Sequence, residues 1–154
     1  MNQSLNGSKV GIIMGSKSDE ATVQETINVL MELGIDYEVR VLSAHRKPKA
    51  LMEYLLTVED RGIEVLIGAA GGAAALPGVM AAWTTIPVIG VPLTSSDLNG
   101  LDSLMAVAQM PPGIPVACVA TGSWGAKNAA YLAASILGIK DARIKKAYEK
   151  YRTK

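Results

Sequence analysis

A chain of 154 residues with 49% apolar side chains is long enough for one sizeable core and short for two, so a single domain spanning 1–154 is expected. Fifteen basic against fourteen acidic residues leave a formal charge of +1, which removes the broad electrostatic footprint of a nucleic-acid binder and favours a small-molecule partner. No stretch reaches the roughly 18 uninterrupted apolar residues of a membrane span, residues 1–8 are polar and read as flexible, and a single cysteine allows no disulfide framework; a cytoplasmic location is expected.

Lys9–Met14 (KVGIIM) reads as a strand, followed by the loop GSKSD and a helix that places Val23, Ile27, Leu30 and Met31 on one face before Gly34 ends it. Tyr37–Leu42 is a second strand, SAHRKP a loop, and Pro48 opens a helix that closes at Gly62. Glu64–Ala69 forms a third strand, Gly71–Pro77 a turn rich in glycine and alanine, Gly78–Thr84 a short helix and Pro87–Val91 a fourth strand. Leu101–Gln109 reads as a helix, Pro115–Ala120 as a fifth strand holding a buried, unreactive Cys118, and Lys127–Leu137 as an alanine-rich core helix. The basic tail over 140–154 is interleaved with Ile144, Ala147, Tyr148 and Tyr151, the pattern of an amphipathic, partly solvated helix rather than a nucleic-acid arm. Abundant alanine, glycine and methionine with no phenylalanine call for a core packed closely from small and flexible side chains.

Strands that alternate with helices at this spacing need crossover connections, which give a mostly parallel sheet covered on both faces. The expected fold is α/β: a doubly wound, three-layer α/β/α sandwich of flavodoxin-like or Rossmann-like type. Ligands of such sheets bind outside the carboxyl ends of the strands, and each unusual loop follows a strand: GSKSD, SAHRKP, AAGGAAALPG, PLTSSDLNG and TGSWGAKN. MGSKSD lacks the G-x-G-x-x-G pattern, which argues against a dinucleotide cofactor.

In the first loop, backbone N–H groups and the hydroxyls of Ser16 and Ser18 at a helix start suit an anion, while the S-x-x-D spacing of Ser16 and Asp19 equally describes a capping box. The second loop sets His45, the one side chain that titrates near neutrality, beside the planar donor fork of Arg46, and Lys47 can add charge. Gly71-Gly72-Ala73-Ala74 lets backbone approach a ligand closely, or packs a helix tightly on the sheet. Trp83 and Trp124 read as core or interface residues rather than ligand stackers.

Six motifs in chain order, MGSKSD (14–19), SAHR-x-P (43–48), GGAA-x-LPG (71–78), PVIGVP (87–92), GLDSL (100–104) and QMP-x-GIPV (109–116), resemble the class I PurE enzymes of purine biosynthesis. The resemblance runs from about residue 9 to residue 138. It implies interconversion of N5-carboxyaminoimidazole ribonucleotide and 4-carboxyaminoimidazole ribonucleotide, no metal or organic cofactor, and a homo-octamer. It makes His45 the catalytic acid/base and Ser16, Asp19 and Arg46 substrate binders, with Arg46 and Ser18 or Ser43 near the phosphate. Ala44, Gly71, Ala73, Ala74 and Leu76 are carried over as further binding residues, the stretch Ala69–Leu76 being suited to enclose CO2.

The family motif normally reads GGAAHLPG, and this chain has Ala75 at the histidine position, which implies reduced activity. Lys47 stands where threonine is usual, and Glu20 where tryptophan often follows SD. A nucleotide-binding protein that no longer catalyses is thus an alternative, and a carboxylase using free CO2 is another, disfavoured by the class I form of SAHRKP and ALPG.

Overall fold

A computed structural model of the chain describes residues 9–153, so the expected flexibility of residues 1–8 lies outside the described residues. Five strands, β1 (Val10–Met14), β2 (Tyr37–Val41), β3 (Val65–Ala70), β4 (Val88–Pro92) and β5 (Ala117–Cys118), form one sheet in the order β2-β1-β3-β4-β5. Every pairing is parallel, with Val10 opposite both Tyr37 and Val65, Leu66 opposite Val88 and Ile89 opposite Ala117. Every residue of β1, β3 and β4 is buried, as continuous apolar strands between two helical layers must be. This is the doubly wound, flavodoxin-like sandwich expected from the alternation of strand and helix patterns.

Among the described residues, six α-helices connect or flank the strands: α1 (Glu20–Glu32), α2 (Pro48–Leu55), α3 (Leu76–Trp83), α4 (Leu101–Ala108), α5 (Gly122–Leu137) and α6 (Ala142–Arg152). One face of the sheet carries α1, α5 and α6, whose Val23, Leu30, Ala130, Ala134 and Ile144 close over Ile12 and Ile67. The opposite face carries α2, α3 and α4, whose Leu51, Leu55, Met80 and Val107 close over Ile13 and Leu66. None of these helices is long and apolar enough to cross a membrane.

Small residues decide how closely the first of these layers packs. The buried stripe of α5 is Gly125, Ala126, Ala129, Ala130, Ala133, Ala134 and Leu137, which brings its backbone near α1. That approach lets the buried Thr26 hydroxyl donate to the Ala126 carbonyl at 2.8 Å. The inward stripe of α1 is therefore Val23, Thr26, Val29 and Leu30, while Ile27 is half-buried and Met31, expected on the core face, is 58% exposed. The stripe turns toward Thr26 because its hydroxyl finds a carbonyl partner there.

Several boundaries also differ from the sequence reading. β5 is shorter than Pro115–Ala120, since Pro115 has no N–H for the ladder and the strand lies at the sheet edge. Cys118 is half-buried rather than fully enclosed, and burial pushes its thiol above the usual cysteine range, away from thiolate reactivity. Buried Glu38 of β2 accepts a 2.6 Å hydrogen bond from the Tyr54 hydroxyl of α2 and pairs with Arg61. That network holds α2 against the edge strand, and with it the 43–47 loop between them.

Candidate active site

Strand order reverses at β1, so the crevice beside it is where the carboxyl-end loops part and a ligand can enter. A cavity of about 300 Å³ opens there. Four loops meet at it, one after each of β1, β2, β3 and β4. The glycine-rich segment after β5, expected as a fifth wall, does not line it, and its Trp124, in the first turn of α5, is 79% exposed.

The first loop supplies Gly15, Ser16, Ser18 and Asp19. Ser16 caps the short 3-10 turn Lys17–Asp19: its Oγ accepts from the Ser18 N–H at 3.3 Å, and Asp19 Oδ2 accepts from the Ser16 N–H at 3.1 Å. The capping reading of this pair is thus realised in the structure, and the same residues line the cavity. Burial, the dominant influence, raises the Asp19 carboxyl above the ordinary aspartate range, against the opposing pull of the Ser16 N–H, the Ser18 side chain and the Arg46 charge.

An acid raised in the folded state loses its proton more readily when unfolded, so its ionisation costs native stability at neutral pH, and the cost fades on acidification through the ordinary value of 3.8. Asp19→Asn keeps a side-chain oxygen for the Ser16 N–H and removes the buried charge. The variant is expected to melt at a higher temperature than the parent at pH 7.5, with the gap closing as pH falls toward 4 (thermal melts by circular dichroism). A variant that melts below the parent at pH 7.5 would show that ionised Asp19 stabilises the fold.

The second loop brings Ser43, Ala44, His45 and Arg46 to the cavity. The Arg46 backbone N–H and Nε donate to Ser43 Oγ at 3.2 and 3.3 Å, and Nη2 donates to the Gly15 carbonyl at 3.1 Å. One guanidinium so fastens the first loop to the second, and its remaining N–H donors stay available to an anion. His45 is exposed at the cavity wall, and no hydrogen bond to another described residue fixes its ring.

The third loop contributes Gly71, Ala74, Ala75 and Leu76, with Ala70 at the strand end. Ala73 is exposed and does not line the cavity. Ala74 is buried in the left-handed region at φ 39°, a conformation that strains a residue bearing a Cβ. Ala75 is half-buried at the start of α3, with φ −69° and ψ −19°, a backbone that any side chain accepts.

Ser95, after β4, also lines the cavity; the sequence reading placed its loop at the site without singling the residue out, and Gly15, Ala70 and Ala75 line the cavity within loops that were so placed. A Cβ added at Gly71 would lie 1.9 Å from Ser95 Oγ, so the bare backbone at Gly71 is what admits this hydroxyl. The loop bearing it is clamped from below, where buried Ser103 donates to the Leu93 carbonyl at 2.6 Å. The motif GLDSL thereby has a structural task.

The site therefore combines an imidazole, a guanidinium, a carboxyl, several hydroxyls and an apolar floor of alanine and leucine. That set suits a small anionic ligand and proton transfer to its uncharged end.

A protein of Pyrococcus abyssi named N5-carboxyaminoimidazole ribonucleotide mutase is 61% identical over 144 residues, 94% of this chain and 82% of that protein. A Pseudomonas aeruginosa protein of the same name is 54% identical over 143 residues, covering 93% of this chain and 88% of its own. The crystal structure of Treponema denticola PurE superposes with a TM-score of 0.84 at 32% identity, over 94% of this chain and 89% of that one. The AIR carboxylase family model matches residues 9–154, and the chain belongs to that family.

Proposed function

We propose that the chain is an N5-carboxyaminoimidazole ribonucleotide mutase acting in purine biosynthesis. The observation that carries this reading is the convergence of His45, Arg46, Asp19 and a floor of Ala70, Gly71, Ala74, Ala75 and Leu76 on one cavity, in a chain whose relatives bear that name. Arg46 with Ser18 and Ser43 anchors the phosphate, and Asp19 and Ser16 orient the ribose and aminoimidazole by accepting and donating hydrogen bonds.

His45 is the proton carrier. As the N–C bond of the carbamate breaks, the imidazolium protonates the exocyclic nitrogen and CO2 is released into the cavity. The ring carbon then attacks CO2, a C–C bond forms, and the carbon's proton passes to the neutral imidazole. Protons and electrons balance, and His45 ends in the state in which it began. The apolar floor around Ala70, Ala74 and Leu76 holds CO2 away from water between the two steps.

Ala75 at the motif's histidine position favours a second reading, a protein that binds the nucleotide without converting it. Incubating purified protein with each isomer separates the two: interconversion in both directions supports the mutase. Absence of interconversion at high protein concentration, with calorimetric binding retained, leaves the binding protein. Turnover of aminoimidazole ribonucleotide that depends on bicarbonate would instead make the protein a carboxylase.

A homo-octamer and a cytoplasmic location belong to the same proposal. Exposed Leu98, Leu101, Met105 and Trp124, which lie on the loop before α4, on α4 and in the first turn of α5, support self-association because they leave apolar surface for another subunit to cover.

A further inference from the structure

The serines that line the site cavity, Ser16, Ser18, Ser43 and Ser95, differ in what their hydroxyls do. Ser18 Oγ donates to Ser16 Oγ at 2.9 Å, Ser16 Oγ also accepts the Ser18 N–H, and Ser43 Oγ accepts two N–H groups of Arg46. Ser95 is the exception, since no hydrogen bond among the described residues engages its Oγ. Its loop is nevertheless well braced. The Leu93 N–H donates to the Ala70 carbonyl at 2.9 Å, Ser103 Oγ meets the carbonyls of Leu93 and Gly100 at 2.6 and 3.0 Å, and Ser96 Oγ accepts the Leu98 N–H at 3.2 Å. Ser96 and Ser103 thus hold the loop in shape, and the hydroxyl of Ser95 is left free for something else.

Ser95 also stands where the cavity has no other side-chain donor. The third loop brings Gly71, Ala74, Ala75 and Leu76, with Ala70 at the strand end, so the imidazole, the guanidinium and the remaining hydroxyls all come from the first two loops. The bare backbone of Gly71 is the place against which Ser95 Oγ rests, at the edge of this apolar floor. A carboxylate brought to the floor loses water, and without a donor there it would stay unpaired.

We infer that Ser95 contacts the reacting end of the ligand, its hydroxyl donating a hydrogen bond to an oxygen of the carboxyl group that passes from nitrogen to carbon. This rests on the ligand being a carboxyaminoimidazole ribonucleotide. As the ring carbon attacks CO2, negative charge grows on the CO2 oxygens, and a donor already in place stabilises it with little reorganisation. The same donor distinguishes carboxylated nucleotides from the decarboxylated one, which offers it no carboxylate to meet.

Calorimetry with 4-carboxyaminoimidazole ribonucleotide and with aminoimidazole ribonucleotide tests the contact apart from turnover. Ser95→Ala is expected to bind the first about tenfold more weakly and the second within about twofold of the parent. A Cβ at Gly71 would fall on the Ser95 hydroxyl, so Gly71→Ala should repeat that loss, and the double variant should lose no more than either single one. Ser95 is exposed and outside both core clusters, so the melting temperature of Ser95→Ala should match the parent's.

In turnover, Ser95→Ala should lower kcat about tenfold. Equal weakening for both nucleotides, unchanged affinity for the carboxylated one, or losses at Ser95 and Gly71 that add would overturn the assignment. The two hypotheses fail separately. A parent that interconverts neither isomer, yet loses affinity for the carboxylated nucleotide alone in Ser95→Ala, keeps the contact and removes the mutase reading. An active parent whose Ser95→Ala variant binds and turns over unchanged does the opposite.

Discussion

His45→Asn is expected to lower kcat for the interconversion about a thousandfold, within the range of positioned acid–base catalysis. Asparagine keeps a donor and an acceptor at nearly the same place but cannot take up and return a proton near neutral pH. The substitution falls on an exposed loop residue, outside both core clusters, so the melting temperature should not move. Affinity for either isomer should change by less than about threefold, because Arg46, Ser43 and the capped first loop are pinned to each other rather than to the imidazole. Steady-state rates and calorimetry on the same preparation check both halves. Full turnover in His45→Asn would place the proton carrier elsewhere, and a collapse of binding with kcat preserved would make His45 a ligand contact.

The features legible in the sequence were those imposed by short-range chemistry. KVGIIM and EVLIGA are rich in β-branched residues and became β1 and β3; Pro48 opens α2 as a proline at a helix start does; and the S-x-x-D spacing gave a capping box. The loops after the first four strands converge because all strands are parallel, so their carboxyl ends lie on one edge. What was missed depends on distant partners. α5 begins at Gly122 rather than Lys127 although glycines are weak helix formers, because Gly125 lies where a Cβ would reach within 1.6 Å of the Ala120 carbonyl. α3 begins at Leu76 rather than Gly78, with Pro77 inside its first turn. Ser95 carried no local signal of its own; the clue was Gly71, whose missing side chain is the space Ser95 occupies.

Restoring the imidazole in the third loop is the other substitution with a large expected effect. Ala75→His is expected to raise kcat/KM about tenfold to a hundredfold, the worth of one regained hydrogen-bonding partner at the reacting end of the ligand. The backbone at residue 75 is ordinary right-handed helix, so a histidine costs no strain there, unlike at Ala74, where a larger side chain would deepen an existing left-handed conformation. Residue 75 is half-buried and lines the same cavity as His45, so a side chain added there borders the space in which His45 works. An imidazole at that wall can donate to the departing or arriving carboxylate while His45 handles the proton, and the gain should appear in kcat more than in KM, since the phosphate is held at the far end. The measurement is a paired assay of parent and Ala75→His, with ribose 5-phosphate affinity as a control that the substitution leaves unchanged. A gain confined to KM would mean that the added ring only binds, and no gain at all would mean that the parent cavity already performs the reaction without a second imidazole.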